Sequence, residues 1–250
     1  MEGDPGDVAF FRSLESHRGR LWARTMRKLP SDPRCAICRA PFAGVGGRLV
    51  RPLGFSPSRK NPRLCSECFE RAPMGGVGMN VGVLFADVRG FTALSEDRAP
   101  DDVAELLNRF YATAVEVLCR HAIIDKLVGD EVMALYLPHL FGGEVTDHML
   151  ADARQLVAET RALVALGVGL DFGHAHVGNV GAGDVKDFTA IGDVVNTAAR
   201  LQGVAQSGQI VASRRVVDAR TADGVAQDFV LKGKSEPVPA TVITPAPPRE

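Results

Sequence analysis

Short apolar runs alternate with longer amphipathic stretches along the chain beyond residue 80. The run VGVLFAD predicts a buried strand. The stretch PDDVAELLNRFYATAVEVLCRH carries apolar residues at helical spacing after an acidic start, which predicts a helix. AIIDKLVGDEVMALYLP contains two apolar runs that meet at a Val-Gly-Asp turn, a pattern typical of a β-hairpin.

The alternation continues to the C-terminal end of the chain. A second helix is predicted over about 147–166, GVGLDFGHAHVGNVG and DFTAIGD predict strands, and VVNTAARLQGVA predicts another helix. The order strand, helix, hairpin, helix, strand indicates an α+β fold with a ferredoxin-like βαββαβ layer. We assign this domain to residues 80–243 and predict that the tail over 244–250, TPAPPRE, is disordered.

The first 79 residues have a different pattern. An imperfect apolar stripe over 8–29 predicts a helix, which defines an N-terminal segment over 1–30. Pro30 and Pro33 end that helix, and a cysteine-containing module is predicted over 31–72. PMGGVGM, over 73–79, combines three glycines with a proline and predicts a linker.

Composition and charge narrow the class of protein. With 46% hydrophobic and 24% charged residues, the sequence is typical of a soluble domain. No apolar run approaches the roughly 18 residues of a membrane helix, and no export signal is evident at the start, so we expect no membrane span and a cytoplasmic location. The net charge of −1 conceals a basic region, because residues 8–71 hold fourteen Lys or Arg against four Asp or Glu.

That basic region raises the question of nucleic-acid binding. A basic face can attract nucleic acid. No aromatic platform or base-reading pattern accompanies the charge, so we rank nucleic acid below a solvated surface or one docked on its acidic neighbour.

Four of the five cysteines form two Cys-x-x-Cys pairs separated by 26 residues. Paired thiols in a reducing compartment favour a metal site over disulfides, and four thiolates suit one tetrahedral zinc ion. An iron–sulfur centre uses the same ligands and stays open as an alternative. We expect structural zinc, because a module of about 40 residues is too small to fold on apolar burial alone. The predicted ligands are Cys35, Cys38, Cys65 and Cys68.

Two aspartates stand where the predicted strands end. Asp87 closes the first strand before a glycine turn and a helix start, where backbone N–H groups can face phosphate. Asp130 lies at the hairpin tip, and a hairpin beside the first strand brings it close to Asp87. Two converging carboxylates can hold divalent ions against a triphosphate.

Four motifs carry a family resemblance over about residues 80–243: FADVRGFT, KLVGDEVMA, FTAIGDVVNTAAR and LKGKSEPVP. Their order and separation resemble those of class III nucleotidyl cyclases. The resemblance implies a catalytic domain that works as a head-to-tail homodimer, with each active site built across the interface. It also implies attack of the ribose 3'-hydroxyl on the α-phosphate of a nucleoside triphosphate, which forms a cyclic nucleotide and pyrophosphate.

The resemblance assigns roles position by position. The implied ligands of two Mg²⁺ or Mn²⁺ ions per site are Asp87, Asp130 and the Val88 carbonyl. The residues implied to recognise the base are Lys126 and Thr189. Three further residues are implied to be catalytic, because they orient the ribose and bind phosphate. These are Asn196, Arg200 and Lys232, and the turn that binds substrate contains Gly90, Phe91 and Thr92.

The base-reading residues predict ATP as the substrate. A lysine can donate to N1 of adenine and a threonine can accept from its exocyclic amine, whereas guanine presents a donor at N1. Many relatives carry aspartate at the position of Thr189, and threonine resembles a bicarbonate-responsive subgroup. The alternatives are a guanylate or other nucleotidyl cyclase, a diguanylate cyclase or polymerase-like palm, and a catalytically silent cyclase-like module that binds nucleotide or nucleic acid.

Overall fold

A computed structural model of the protein describes residues 33–69, 75–138, 140–182, 185–217 and 223–246. The predicted N-terminal helix over 8–29 lies outside these residues, as do the last four residues of the tail. None of the helices in the described part of the chain is long and apolar enough to cross a membrane.

The cysteine module, described over residues 33–69, has little regular structure. It contains helix α1, a single 3₁₀ turn at Arg51–Leu53 and the short helix α2. Two isolated β-bridges, Arg34 with Pro41 and Pro57 with Cys65, hold its loops together. Helix α1 spans Gly44–Val50 and helix α2 spans Ser66–Phe69.

The main domain, residues 75–246, is one sheet with helices on both faces. Its elements in chain order are β1 Gly75–Val88, α3 Phe91–Glu96, α4 Pro100–Leu118, β2 Ile123–Val128, β3 Glu131–Tyr136, α5 Val145–Thr160, β4 Leu166–Ala182, β5 Val185–Ile191, α6 Asp193–Val204, β6 Gln209–Ser213, β7 Val225–Phe229 and β8 Val238–Ile243. The predicted order of strand, helix, hairpin, helix and strand is confirmed.

The sheet order is β2-β3-β1-β4-β6-β8-β7, with β5 paired to β4. β1 lies between β3 and β4 and is antiparallel to both, while β4 and β6 are parallel. In this register Asp87 lies opposite Glu131, beside the tip of the β2–β3 hairpin. The carboxyl end of β1 and the hairpin turn therefore lie next to each other, where these strands end.

Alternating residues of β1 contribute to two separate hydrophobic cores, because successive side chains of a strand point to opposite faces. Leu84 and Ala86 pack with apolar residues of α4 and α5. Val83 and Phe85 pack on the other face with residues of α6 and with Leu64 of the cysteine module. Both faces of this strand are covered, which explains why its sequence is an apolar run rather than an alternating one.

The predicted linker over 73–79 is wrong over its last five residues, 75–79. Residues 75–79 belong to β1 and pair with residues 175–179 of β4. The glycines there serve close packing: a Cβ at Gly76 would overlap the Val177 carbonyl oxygen, and one at Gly78 would lie 2.8 Å from the His174 ring. The second predicted helix, 147–166, is observed as α5 at Val145–Thr160.

Candidate active site and metal centre

The two aspartates predicted to bind metal lie together at the end of β1. Asp87 is the penultimate residue of the strand, and the Val88 N–H donates to the Asp130 carbonyl oxygen at 3.3 Å. Gly129 supplies the tight turn with a φ of 59°, a conformation that glycine adopts without strain. The hairpin thus sets the Asp130 backbone against the end of β1.

The electrostatics of this corner suit a cation. Burial, followed by the negative charge of Asp130, raises the pKa of Asp87 from 3.8 to about 6. Burial and the charge of Asp130 also raise the pKa of Glu131. Carboxylates that crowd in a partly buried corner repel one another unless a positive ion lies between them. Oxygen donors of this kind are the ligands preferred by Mg²⁺ and Mn²⁺, so the residues fit such an ion.

Arg89 contacts Asp87 and was not identified from the sequence. Its guanidinium Nη1 lies 3.0 Å from Asp87 Oδ2, and its Nη2 donates to the Gln202 carbonyl oxygen on α6. Gly167 makes room for this side chain, because a Cβ at that position would overlap the guanidinium. Arg89 therefore links the end of β1 to the helix that carries Asn196 and Arg200. Its place in FADVRGFT, two residues after Asp87, was the available sequence signal.

The predicted substrate turn follows β1 directly. Gly90 has a φ of 73° and precedes the first residue of α3. Phe91 is half-buried against the core between the sheet and helices α4 and α5, and Thr92 is exposed. The turn therefore anchors on an apolar side chain and leaves the start of α3 open to solvent.

The predicted base-reading pair, Lys126 and Thr189, lies on β2 and β5, two strands that do not pair in the sheet. Lys126 is exposed. Thr189 Oγ1 donates to Asp125 Oδ2 at 2.9 Å, so the residue next to Lys126 in the chain brings the two strands together. The register of β2 against β3 shifts between Ile124 and Lys126, which makes Asp125 the extra residue of a β-bulge.

The three residues predicted to be catalytic lie around α6. Asn196 is exposed on this helix, and Arg200 lies one turn later on the same face. A Cβ at Gly233 would lie 3.3 Å from the Arg200 guanidinium, so Arg200 lies beside the turn that contains the exposed Lys232. The neighbouring Lys234 is paired instead with Asp193, at 2.5 Å. Asn196, Arg200 and Lys232 are thus brought to one surface.

The four predicted cysteine ligands converge within the module. One sulfur from each of Cys35, Cys38, Cys65 and Cys68 lies within 4.8 Å of the others. The Cys38 and Cys65 sulfurs are 3.5 Å apart, and the Cys65 N–H donates to Cys35 Sγ at 3.3 Å. Bonds of about 2.3 Å to a tetrahedral zinc ion require sulfurs about 3.8 Å apart. The cluster therefore fits a metal ion, which agrees with the spacing in the sequence.

Two histidines and one cysteine outside the candidate sites, His174, His176 and Cys119, lie in packing environments. The rings of His174 and His176 are exposed and cover Gly78 and Gly76 of β1. The two residues are two apart on β4, so both rings lie on one face of the strand. Cys119 is buried after α4, and burial raises its pKa to about 11, as expected for a thiol that acts as a small apolar residue.

The comparisons with known proteins agree with this arrangement. The family model described as the adenylate and guanylate cyclase catalytic domain matches residues 77–238. The chain belongs to this family. The match covers all of the predicted site residues outside the cysteine module and leaves the module itself outside the family domain.

Two curated relatives match about two thirds of the chain. The uncharacterized protein Rv1318c of Mycobacterium tuberculosis is 36% identical over 182 residues, which cover 68% of this chain and 33% of that protein. The uncharacterized protein Rv1319c of the same species is 32% identical over 186 residues, covering 70% of this chain and 35% of that protein. The chain thus spans about a third of the length of the curated relatives it matches.

Solved cyclase structures share the fold. The guanylyl cyclase Cya2 superposes with a TM-score of 0.63 at 24% identity, over 70% of this chain and 97% of that one. The adenylyl cyclase CyaB from P. aeruginosa superposes with a TM-score of 0.61 at 26% identity, over 66% of this chain and 94% of that one. The predicted α+β cyclase fold is therefore confirmed, and the family includes enzymes named for either base.

Proposed function

We propose that the protein is an adenylate cyclase that converts ATP to 3',5'-cyclic AMP and pyrophosphate. The observation that carries the proposal is the linked arrangement of Lys126 and Thr189 through Asp125. Lys126 offers a donor to the N1 acceptor of adenine, and the Thr189 oxygen, whose own hydrogen is directed at Asp125, offers an acceptor to the adenine amine. Guanine presents the opposite pattern at both positions.

In this proposal Asp87, Asp130 and the Val88 carbonyl hold two Mg²⁺ or Mn²⁺ ions. When bound, such ions promote deprotonation of the ribose 3'-hydroxyl and neutralise charge on the triphosphate. Asn196 orients the ribose, while Arg200 offers planar donors to the oxygen on which charge develops at the α-phosphate. Lys232 binds the phosphates that leave as pyrophosphate. Gly90, Phe91 and Thr92 present backbone N–H groups to the same phosphates.

We further propose that the active unit is a head-to-tail homodimer. Large apolar side chains are exposed beside the base-reading pair: Leu127 and Val128 on β2 are 42% and 61% exposed, and Ile191 on β5 is 54% exposed. Exposed apolar groups next to exposed functional residues favour an interface between copies. Each site then takes its carboxylates from one protomer and its base-reading and catalytic residues from the other.

The proposal is tested with purified protein, Mg²⁺ or Mn²⁺, and each of ATP, GTP, CTP and UTP. We expect cyclic AMP as the main product. Equal or better turnover of GTP would overturn the base assignment and favour a guanylate cyclase. A folded dimer that forms no cyclic product from any triphosphate would favour a silent nucleotide-binding module.

Mixing two inactive variants tests the shared site. Asp87→Ala and Arg200→Ala each damage both sites of a homodimer, so each alone is expected to be nearly inactive. After co-expression with two tags, a heterodimer holds one site with both defects and one intact site. Free exchange then restores about a quarter of wild-type activity. Isolated heterodimers that stay inactive would show that each site lies within one protomer.

A further inference from the structure

Lys60 of the cysteine module enters the main domain between β2 and β5. Its Nζ donates to the Asp125 carbonyl oxygen at 2.8 Å and to the Phe188 carbonyl oxygen at 2.9 Å. The same atom lies 3.3 Å from Asp125 Oδ1 and 2.5 Å from Asp187 Oδ1. The Lys60 side chain is only 19% exposed, so its charge is directed at these groups rather than at solvent.

The backbone around Lys60 fixes this position. The Ile124 N–H donates to the Lys60 carbonyl oxygen at 2.9 Å, and Asn61 Nδ2 donates to the carbonyl oxygens of Cys119 and Ala122 at 3.1 and 2.5 Å. Leu64, which is fully buried, packs into the core on the α6 face of the sheet. The segment over 60–64 is therefore seated on the main domain by polar and apolar contacts together.

Asp125 transmits this contact to the base-reading pair. Its side chain is fully buried in the bulge before Lys126, with Oδ1 facing Lys60 and Oδ2 accepting from the Thr189 hydroxyl. An ionised carboxylate can only accept hydrogen bonds. The Thr189 hydrogen is then committed to Asp125, and the lone pairs of Oγ1 are all that Thr189 can offer to a base.

Lys60 keeps Asp125 in this acceptor state. Burial raises the pKa of Asp125, and the Lys60 ammonium and the Thr189 hydroxyl act against that rise. Without Lys60, the buried carboxyl group has a stronger tendency to bind a proton. A protonated Asp125 could donate to Thr189, which would release the hydroxyl hydrogen to point at the base.

We propose that Lys60 and Asp125 are positioning residues that hold Thr189 as a hydrogen-bond acceptor and thereby select a purine with an amine at C6 over one with a carbonyl group at C6. The proposal deepens the adenylate cyclase function and rests on it for the roles of Lys126 and Thr189. It gives the cysteine module a part in substrate choice: the contact between Lys60 and Asp125, which are 65 residues apart in the sequence, sets the polarity of Thr189.

The sharpest test is Asp125→Asn, which keeps the shape of the side chain. Lys60 donates to the amide oxygen, so the amide NH₂ faces Thr189 and donates to it. Thr189 can then donate to the guanine carbonyl group. With ATP and GTP supplied together at equal concentration, we expect the ratio of cyclic AMP to cyclic GMP to fall by roughly 10-fold or more, because an acceptor has become a donor.

Two further variants separate positioning from simple damage. Lys60→Met should lower the same ratio, and Lys60→Arg should restore most of it by supplying a permanent cation with several donors. Asp187→Asn is the matched control, since Asp187 also contacts Lys60 but its side chain is 49% exposed and does not contact Thr189. The Asp187→Asn ratio should equal that of the wild type. Zinc content and melting temperature are measured for each variant.

The outcomes distinguish this inference from the proposed function. The wild-type ratio tests the choice of ATP, whereas the change caused by Asp125→Asn tests the positioning role. An unchanged ratio in folded Asp125→Asn overturns the inference even if the wild type makes only cyclic AMP. If the wild type forms no cyclic product, calorimetric titration with ATP and with GTP supplies the ratio instead. An Asp125→Asn protein that then binds the two nucleotides in the wild-type proportion also overturns it.

Discussion

The cysteine cluster and the carboxylate pair are two candidate metal sites in opposite structural settings. The cluster lies in a module whose own core contains four buried residues, Cys35, Ala40, Val50 and Cys65, two of which are predicted ligands. Asp87 lies on a strand with a large core on each face. The zinc assignment makes the metal a part of the module's fold, whereas in the main domain we propose that the fold holds the metal ligands in place.

The contrast follows from size. About 40 residues bury too little apolar surface to offset the loss of chain entropy, so a structural ion is the common solution. The main domain instead tolerates crowded carboxylates because its two cores supply the stability. One chain can thus contain a cysteine cluster that stabilises its module and a carboxylate pair that destabilises the fold around it.

Loss of a thiolate should produce the largest effect. Cys65→Ser removes one of four ligands and leaves buried polar groups in a module with almost no core, so we expect loss of about one zinc per chain and unfolding of the module. Metal analysis and limited proteolysis measure this. Cys119→Ser is the matched control, because Cys119 is equally buried but lies outside the cluster. Metal-free wild-type protein with an unchanged melting curve, or bound iron with visible absorbance, would contradict the zinc assignment.

Removal of the apolar anchor should have an intermediate effect. Leu64→Ala leaves a cavity in the core beneath the module and should lower the free energy of unfolding by about 2–5 kcal/mol. Denaturant unfolding monitored by circular dichroism measures the change. Zinc should stay bound, since Leu64 is not a ligand. Leu53→Ala, at a leucine that is 58% exposed, should change stability by less than about 0.5 kcal/mol. Equal effects of the two variants would mean that the module does not stabilise the main domain through Leu64.

Neutralising a carboxylate should give the smallest change, and in the stabilising direction. The folded-state pKa of Asp87 is raised to about 6, so its relative stabilising contribution is complete below about pH 4 and is lost as pH rises through 6. Without added Mg²⁺ or Mn²⁺, Asp87→Asn should therefore stabilise the fold at pH 7–8 by about 1–3 kcal/mol, with the gain shrinking toward pH 5.

Thermal unfolding across this pH range checks the prediction, while cyclase activity of the same variant should be lost. Asp228→Asn, at an exposed carboxylate on β7, is the control and should leave stability nearly unchanged. A destabilised Asp87→Asn protein at pH 8 would show that the ion pair with Arg89 outweighs the crowding at this corner.

The sequence predicted the features that depend on local pattern. The hairpin around Asp130 follows from two apolar runs and a glycine turn, and the end of the first strand at Asp87 follows from one apolar run before a glycine. The linker prediction failed at residues 75–79 because glycine is read as a chain breaker. In the structure, glycine there admits the rings of His174 and His176 from a strand about 100 residues away.

Long-range contacts account for what was missed at the site. Lys60 is one of fourteen basic residues in its region, and nothing local distinguishes it from a solvated lysine. Its role depends on where the module docks. Asp125 directly precedes Lys126, and this position could have identified it as a site residue. Strand alternation alone does not predict the bulge that buries its side chain.

The backbone segments that carry the two carboxylates differ in how firmly they are hydrogen-bonded. β1 is hydrogen-bonded along both edges, to β3 and to β4, so its central amides exchange with solvent only when the sheet itself opens. Asp130 lies on the turn of a hairpin whose outer strand, β2, ends the sheet order, and such turns open locally and far more often. We therefore expect the backbone amides around Asp87 to exchange on the slow timescale of domain opening and those around Asp130 on the faster timescale of local opening.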